Sequence, residues 1–282
     1  MKGLWARFLL GLGEALGTAA WAVGLRRRVA LEGLRRAFPE RTEEERRATA
    51  RAAYRQLGRS LAEVALSRDV LDADLEELVR FEGWDRYESA RALGRGVVIA
   101  VAHFGNWELA ARACARRGMP LTAITRALRG RLNERLLAAR RAGGLRELPD
   151  KGSTGAALRL LRRGETLAVV VDQNMRPSRG IFVDFFGEPA CTTPAAAVFA
   201  LRSGAPLLAA FPVRGPDGTH RVILEGPFGP PPGARGHSAV KALTQEVTRA
   251  VERAVRAHPD HWFWVHRRWK TRPPEGLPPP AR

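Results

Sequence analysis

Residues 96–117 read GVVIAVAHFGNWELAARACARR, and this stretch decides the fold. Its apolar run Val97–Ala102 is typical of a buried strand and ends at His103, and a helix-like run begins at Trp107. A strand that delivers a histidine to a glycine turn, followed at once by a helix, is how α/β enzymes present a catalytic side chain. The stretch therefore predicts a strand–turn–helix unit with His103 at the turn.

Four residues separate His103 from Glu108, which gives the spacing His-x4-Glu. An imidazole with a pKa of about 6.5 can take a proton from a hydroxyl near neutral pH. A carboxylate on its other nitrogen fixes the tautomer and stabilises the imidazolium. We therefore predict that His103 is a general base and that Glu108 orients it. Spacing alone is weak evidence, because His220 and Glu225 share it within a strand-like run.

The rest of the chain alternates strand-like and helix-like runs after Gly96. This pattern predicts a single α/β domain over residues 29–282, with a mainly parallel or mixed central sheet covered by helices. The strand-like runs are Val97–Ala102, Leu121–Ile124, Leu167–Val171, Leu207–Phe211 and Arg221–Leu224. The helix-like runs are Trp107–Arg117, Gly130–Ala142, Ser153–Arg162, Pro194–Ser203 and Ser238–Ala257. Alternating side chains over 261–270 predict one more strand near the end of the domain.

The first 28 residues form a separate, largely apolar segment. The run Phe8–Leu25 carries one charge, Glu14, and the triplet Arg26–Arg28 closes it. It is marginal for a spanning helix, which needs about 20 apolar residues. The flanking cations favour a helix in the membrane interface, held at anionic headgroups. A cleavable signal and a helix that covers the core are the alternatives.

A longer helix follows this segment. Thr42 and Glu45 form a capping box, which predicts its start. Apolar residues at three- and four-residue spacing then predict one buried stripe, and they are Ala50, Tyr54, Leu57, Leu61 and Val64.

The chain is strongly basic, with 47 Lys and Arg against 29 Asp and Glu and a formal charge of +18. Such a charge implies an anionic partner. The basic residues are scattered and form no nucleic-acid-binding motif, so a membrane surface fits better than nucleic acid. Cys114 and Cys191 lie in no metal-ligand spacing, which argues against zinc and against a disulfide framework and favours a reducing compartment. We predict no metal and no cofactor.

Several polar residues near the ends of strand-like runs are candidates for the site. Arg126 could clamp a phosphate or a thioester oxygen, or be a surface arginine. Asp172, followed by Gln173, ends a buried strand and should be paired, for example with Arg126. Asn106 is either an oxyanion donor or a turn-former and helix cap. The pair Phe185–Phe186 either lines an acyl channel or packs in the core.

Four motifs in chain order resemble the bacterial lipid A biosynthesis acyltransferases of the lauroyl and myristoyl type. That family lies within the superfamily of glycerol-3-phosphate and lysophospholipid acyltransferases. The motifs are HFGNWE (103–108), VVDQN (170–174), FVDFFG (182–187) and WVHRRWKTRP (264–273). Glu108 matches the lipid A branch, because the wider superfamily usually has Asp at that place. The resemblance covers about residues 30–274.

The resemblance implies transfer of an acyl chain from acyl carrier protein to a hydroxyl of a lipid A precursor, at the cytoplasmic face of the bacterial inner membrane. It implies no covalent acyl-enzyme, and the sequence has no Gly-x-Ser-x-Gly elbow. Arg126, Asn133 and Arg140 match the family's second block, and Asp172 with Gln173 matches a later one. We expect a monomer.

Three alternatives stay open at this point. The acceptor could be another glycolipid, such as a phosphatidylinositol mannoside, or a phospholipid. The donor could be coenzyme A. The protein could also be a non-catalytic membrane-binding relic of the fold.

Overall fold

The computed structural model describes residues 4–66, 75–125 and 131–274. The strands within them are β1 (Val79–Glu82), β2 (Val97–Val101), β3 (Leu121–Thr125), β4 (Arg146–Pro149), β5 (Thr166–Val170), β6 (Ile181–Phe185), β7 (Glu188–Thr192), β8 (Leu207–Arg214) and β9 (His220–Phe228). Seven of them form one sheet in the order β1-β9-β8-β2-β5-β3-β4, and β6 pairs with β7 in a separate hairpin.

The central sheet is mixed but mostly parallel, which confirms the predicted class. Strand β2 runs parallel to β5 and β8, and β3 runs parallel to β4 and β5. Only the edge formed by β9 and β1 runs the other way, because β9 is antiparallel to β8 and β1 is parallel to β9. The carboxyl ends of β2, β3 and β5 therefore meet at one edge of the sheet, where ligand sites of open α/β sheets lie.

Helices cover both faces of this sheet. The helices are α1 (Leu4–Ala22), α2 (Arg27–Ala37), α3 (Glu43–Leu66), α4 (Leu75–Leu78), α5 (Trp84–Ala92), α6 (Trp107–Arg116), α7 (Arg131–Ala142), α8 (Thr154–Arg162), α9 (Ala195–Ser203) and α10 (Gly236–Ala257). Alternate residues of β2 point to opposite faces: Val98 and Ala100 join the cluster of α8, α9 and α10, whereas Val97 and Ile99 join the cluster of α5 and α6.

All five helix-like runs and all five strand-like runs predicted after Gly96 overlap an observed element. Gly130, the predicted first residue of one helix, lies outside the described residues. The strand predicted over 261–270 is wrong. That segment is a 3₁₀ turn followed by tight turns, and its only pairing is an isolated bridge between Trp262 and Phe104. The alternation arises because Trp262 and Trp264 turn inward into the aromatic core while Phe263 and Val265 stay partly exposed.

The N-terminal helix α1 packs along α3. The helices approach closely at glycines, since a Cβ on Gly13 would lie 2.5 Å from the carbonyl oxygen of Gly58. The opposite face of α1 exposes Phe8, Leu12 and Leu16. Within the described residues, no individual helix combines the length and apolarity needed to cross a bilayer. The helical segments Phe8–Ala22 and Arg27–Ala37 are bent by 87° relative to each other. Taken together, and judged by length and composition alone, they are long and apolar enough for a span.

Candidate active site

His103 and Asp172 meet at the carboxyl edge of the sheet. They lie two residues beyond Val101 and Val170, which are partners in the parallel pairing of β2 with β5. The Nδ1 atom of His103 is 2.9 Å from Oδ1 of Asp172, and the His103 backbone N–H donates to Oδ2 at 2.8 Å. A carboxylate only accepts hydrogen bonds, so Nδ1 carries the proton and Nε2 is left as the basic nitrogen.

Asp172 is buried, and the indole N–H of Trp262 donates to its Oδ2 at 2.9 Å. Burial alone would raise the pKa of Asp172, but the charge and hydrogen bonds of His103, together with the indole, hold that pKa below its usual value. Burial also lowers the pKa of His103, and the charge and hydrogen bond of Asp172 outweigh it, so the net pKa of His103 is raised. Asp172 thus strengthens His103 as a base.

This geometry changes two predicted partnerships. Asp172 was expected beside a cation such as Arg126, which lies outside the described residues, and its observed partner is His103. Glu108 was expected on the second nitrogen of His103, and Asp172 holds that place. Because Glu108 lies in the first turn of α6, beyond the loop, its carboxylate points instead toward α7.

Glu108 forms an ion pair with Arg140. The Nε of Arg140 donates to Oε2 of Glu108 at 2.9 Å, a second N–H of the guanidinium bonds the other oxygen, and the third donor bonds Glu147 at 2.9 Å. The indole N–H of Trp107 also donates to Glu108, at 3.1 Å. Glu108 acts on His103 through its charge, which adds a smaller upward influence on the His103 pKa than Asp172 does.

Asn106 is a helix cap, which favours the cap interpretation of this residue over the oxyanion donor. Its Oδ1 accepts from the backbone N–H of Leu109 at 3.0 Å, and its Nδ2 donates to Glu63 at 2.6 Å. The residue is buried. Both halves of the amide are therefore occupied by hydrogen bonds inside the protein.

The other predicted residues divide between the site and its surroundings. Gln173 is exposed, and its Nε2 lies 3.3 Å from Nε2 of His103, so its amide reaches the basic nitrogen. Asn133 belongs to α7. Phe185 and Phe186 are buried and pack edge-to-face at 4.8 Å between ring centroids, which favours the core interpretation of this pair.

His103 opens into a cleft whose empty space of about 370 Å³ includes open solvent. Helix α3 supplies one wall with Ala53, Tyr54 and Leu57, and the segment Trp262–Val265 supplies the other. The ring of Trp107 meets His103 edge-on at 5.2 Å between centroids. A general base beside a mostly apolar cleft suits a substrate with a hydrocarbon chain near its reacting group.

Two buried residues beneath the site, Arg268 and Glu63, were not predicted from the sequence. The guanidinium of Arg268 donates to the carbonyl of Cys191 at 3.0 Å and to the Thr192 hydroxyl, and burial lowers its pKa to about 10. Glu63 of α3 binds Arg214 and His220. Both were hidden inside patterns that predict only packing. Arg268 follows alternating tryptophans, and Glu63 falls between the stripe positions of a helix.

The comparison with known families agrees with this site. The sequence model described as bacterial lipid A biosynthesis acyltransferase matches residues 4–271. The chain belongs to this family. It is therefore an acyltransferase, and His103 and Glu108 lie in the part of the chain that the family covers.

The chain is also similar to curated acyltransferases over most of their length. The chain is 28% identical to the lipid A biosynthesis lauroyltransferase of Escherichia coli (strain K12) over 270 residues, which cover 95% of this chain and 86% of that protein. It is 26% identical to the palmitoleoyltransferase of the same organism, over 93% of this chain and 85% of the relative. It is also 27% identical to the phosphatidylinositol mannoside acyltransferase of Mycobacterium tuberculosis (strain ATCC 25618 / H37Rv), over 66% of this chain and 58% of that protein.

Proposed function

We propose that this protein transfers a fatty acyl chain from acyl carrier protein to a hydroxyl group of a lipid A precursor. The observation that carries the proposal is the His103–Asp172 pair at an apolar cleft, in a chain that belongs to the lipid A acyltransferase family. The pair supplies a base of raised pKa, and the cleft offers a wall for hydrocarbon.

In the proposed reaction, Nε2 of His103 takes the proton of the acceptor hydroxyl as its oxygen attacks the thioester carbonyl. Asp172 stabilises the imidazolium that forms. When the tetrahedral intermediate collapses, the C–S bond breaks, and His103 returns the proton to the departing sulfur. A new C–O ester bond has then replaced the thioester, the donor leaves as a free thiol, and His103 is again neutral.

The developing oxyanion needs a donor close to Nε2. Gln173 is the described side chain that meets this need best, because its amide lies 3.3 Å from Nε2 of His103 and is exposed to the substrate side. The acceptor hydroxyl would replace the Gln173 amide at Nε2, and the freed N–H would then turn to the carbonyl oxygen. Arg140 is held beside the site by Glu108 and Glu147.

We further propose that the protein lies on the cytoplasmic face of the inner membrane, with α1 in the interface. One side of α1 is fixed to α3, where Glu14 pairs with Arg59. The other side exposes Phe8, Leu12 and Leu16. The arginine triplet 26–28 follows directly, with no carboxylate partner among the described residues. This amphipathic arrangement favours an interfacial helix, with guanidinium groups at the level of anionic headgroups.

A second acceptor class has specific support. The phosphatidylinositol mannoside acyltransferase match makes a phosphatidylinositol mannoside the alternative glycolipid. The test offers purified protein two donors, labelled acyl carrier protein and the matching acyl-coenzyme A. The acceptors are a tetra-acylated lipid A precursor, a phosphatidylinositol mannoside and a lysophospholipid. Faster transfer to the lipid A precursor from the carrier protein supports the proposal. Preference for the mannoside would change the acceptor, and a lack of transfer to all three by folded protein would refute it.

A further inference from the structure

Glu63 is a buried carboxylate in the middle of α3 that the proposed reaction does not use. Its side chain is only 4% exposed. Arg214, the last residue of β8, donates to its two oxygens at 2.5 and 2.6 Å. His220, the first residue of β9, approaches at 3.2 Å, and Asn106 donates at 2.6 Å. One carboxylate thus joins α3, the β8–β9 edge and the loop that carries His103.

The Asn106 bond connects this network to the base. Asn106 lies three residues after His103 and caps α6 with its other amide atom. The loop between them packs closely against β8, because a Cβ at Gly105, whose φ is 55°, would collide with the carbonyl of Pro212. Glu63 therefore holds the Asn106 end of this loop, and Asp172 holds the other end through the backbone N–H of His103.

Arg214 holds the other side of the same loop. Its backbone N–H donates to Nε2 of His261 at 3.0 Å, and the carbonyl of His261 accepts from the Gly105 N–H at 2.8 Å. Helix α3 also forms the cleft wall with Tyr54 and Leu57. The network around Glu63 thus ties the substrate wall, the 3₁₀ turn and the histidine loop into one unit.

We propose that Glu63 is a positioning residue for acyl transfer, which holds His103 in place through Asn106. The inference rests on the proposed function, because it assigns Glu63 a part in that reaction. The two hydrogen bonds from Arg214 fix the Glu63 carboxylate, because removing either partner of a buried ion pair leaves the other uncompensated. Catalysis depends steeply on the placement of reacting groups, so loss of the Asn106 bond should slow chemistry more than binding.

Asn106→Ser is the variant that isolates this link. Serine retains an N-cap oxygen for α6 but removes the amide N–H that Glu63 accepts, and the Glu63–Arg214 pair stays intact. Tyr87→Phe is the matched control. It removes another buried hydrogen bond, from the Tyr87 hydroxyl to Thr166 at 3.1 Å, at the opposite end of β5 from Asp172.

We expect Asn106→Ser to lower kcat about tenfold or more while KM for the acyl donor stays within about twofold. Glu63→Gln should lower kcat at least as much, because it weakens the Arg214 pair as well as the Asn106 bond. The double variant should be no worse than Glu63→Gln alone, since both changes act on the bond between Glu63 and Asn106. Tyr87→Phe should leave kcat unchanged. Cooperative unfolding of each variant confirms the fold. Parental kcat in Asn106→Ser would overturn the proposal, and so would full additivity of the two changes.

A substrate-free measurement separates this inference from the proposed function. The titration of His103, followed by NMR, should show a lower pKa in Asn106→Ser than in the parent, because its contact with Asp172 loosens, and Tyr87→Phe should not change it. If the parent transfers no acyl chain but the His103 pKa still falls in Asn106→Ser, the positioning role stands and the proposed function fails. If transfer occurs and neither kcat nor the pKa changes, the positioning role fails alone.

Discussion

At the scale of single residues, the central feature is which carboxylate faces His103. Asp172 accepts two hydrogen bonds from His103, one from the ring and one from the backbone N–H. The second contact fixes the loop as well as the tautomer. Glu108, only five positions from His103 in sequence, is bonded to Arg140 instead. Proximity in sequence therefore predicts the orienting residue less well than pairing between adjacent strands does.

Asp172→Asn should move the pH profile of kcat/KM. As the proposed base, His103 acts in its neutral form, so activity should rise as pH increases through the pKa of His103, which Asp172 holds above the ordinary value of about 6.5. Without the carboxylate charge, burial would lower this pKa, and the midpoint of the rise would shift to lower pH. The maximal rate should also fall by about a hundredfold or more. An unchanged midpoint in Asp172→Asn would contradict the assigned pair.

Glu108→Gln should act mainly through Arg140. The substitution leaves a partly buried guanidinium with one carboxylate, Glu147, and removes a smaller upward influence on the His103 pKa. We expect a smaller downward shift of the pH midpoint than in Asp172→Asn. Glu147→Gln is the matched control, because it also weakens Arg140 but has no contact with the His103 loop among the described residues. A larger shift in Glu108→Gln than in Asp172→Asn would restore Glu108 as the orienting group.

The sequence identified much of this site but not its pairings. His103, Asp172 and Gln173 stood out because polar residues follow apolar strands, and the structure brings all three together. Which of them touch depends on strand order. The sequence does not state that β2 lies beside β5 and not beside β3. Glu63 could not be found, because its partners lie 43, 151 and 157 positions away.

At the scale of elements, local patterns predicted the long runs and failed on short ones. The capping box was confirmed, since Thr42 and Glu45 bond each other's backbone N–H groups at 2.7 and 3.2 Å. The missed strands β1, β4, β6 and β7 have four or five residues each and carry charged residues within them. Such strands form because a neighbouring strand pairs with them, and the strand propensity of their own residues does not reveal this pairing.

The predicted buried stripe of α3 was partly wrong. Ala50 and Tyr54 are buried, but Leu61 is 64% exposed, whereas the nearby Glu63 is 3% exposed. A helix that packs on α1 at one side and on the histidine loop at another has no single apolar face. Its polar residue is buried because three donors satisfy it, and its leucine is exposed at the surface.

The exposed face of α1 makes a membrane-binding prediction. Leu16→Asp places a charge on a side chain that is 62% exposed, and it should weaken binding to vesicles rich in anionic phospholipid by about tenfold or more. Leu93→Asp is the matched control, because Leu93 is 54% exposed at the end of α5. Co-sedimentation with vesicles measures both. If both variants lose vesicle binding equally, the effect is one of charge alone. If Leu16→Asp binds vesicles as well as the parent does, α1 is ruled out as the contact.

At the scale of the whole molecule, buried charges join layers that the hydrophobic core does not hold in register. Glu63 connects α3 with two strands, and Arg268 connects the C-terminal segment with the β6–β7 hairpin. Apolar contacts are tolerant of small displacements, whereas a buried charged group needs the geometry that satisfies its hydrogen bonds. The position of the histidine loop follows from these links.

Glu63 should also contribute to stability at neutral pH, and this contribution should be lost at low pH. Burial would raise its pKa, but the bonds from His220 and Arg214 lower it to about 2, from 4.5 in an unfolded chain. A depressed pKa contributes stability above pH 4.5 that is lost as pH falls toward 2, and the loss amounts to about 3 kcal/mol in the free energy of unfolding. Denaturant melts of parent and Glu63→Gln should therefore converge as pH falls through this range. Parallel pH dependence of the two proteins would contradict the assignment.

The proposed mechanism depends most directly on His103 as the base for acyl transfer. The deciding measurement is the rate of transfer from acyl carrier protein to a lipid A precursor by the parent, His103→Ala and Asp172→Asn, with Tyr87→Phe as the folded control. We predict that both site variants lose at least about a hundredfold in rate while they unfold cooperatively and that the control keeps the parental rate. Parental transfer by folded His103→Ala would contradict the account, because the proton would then be taken by another group.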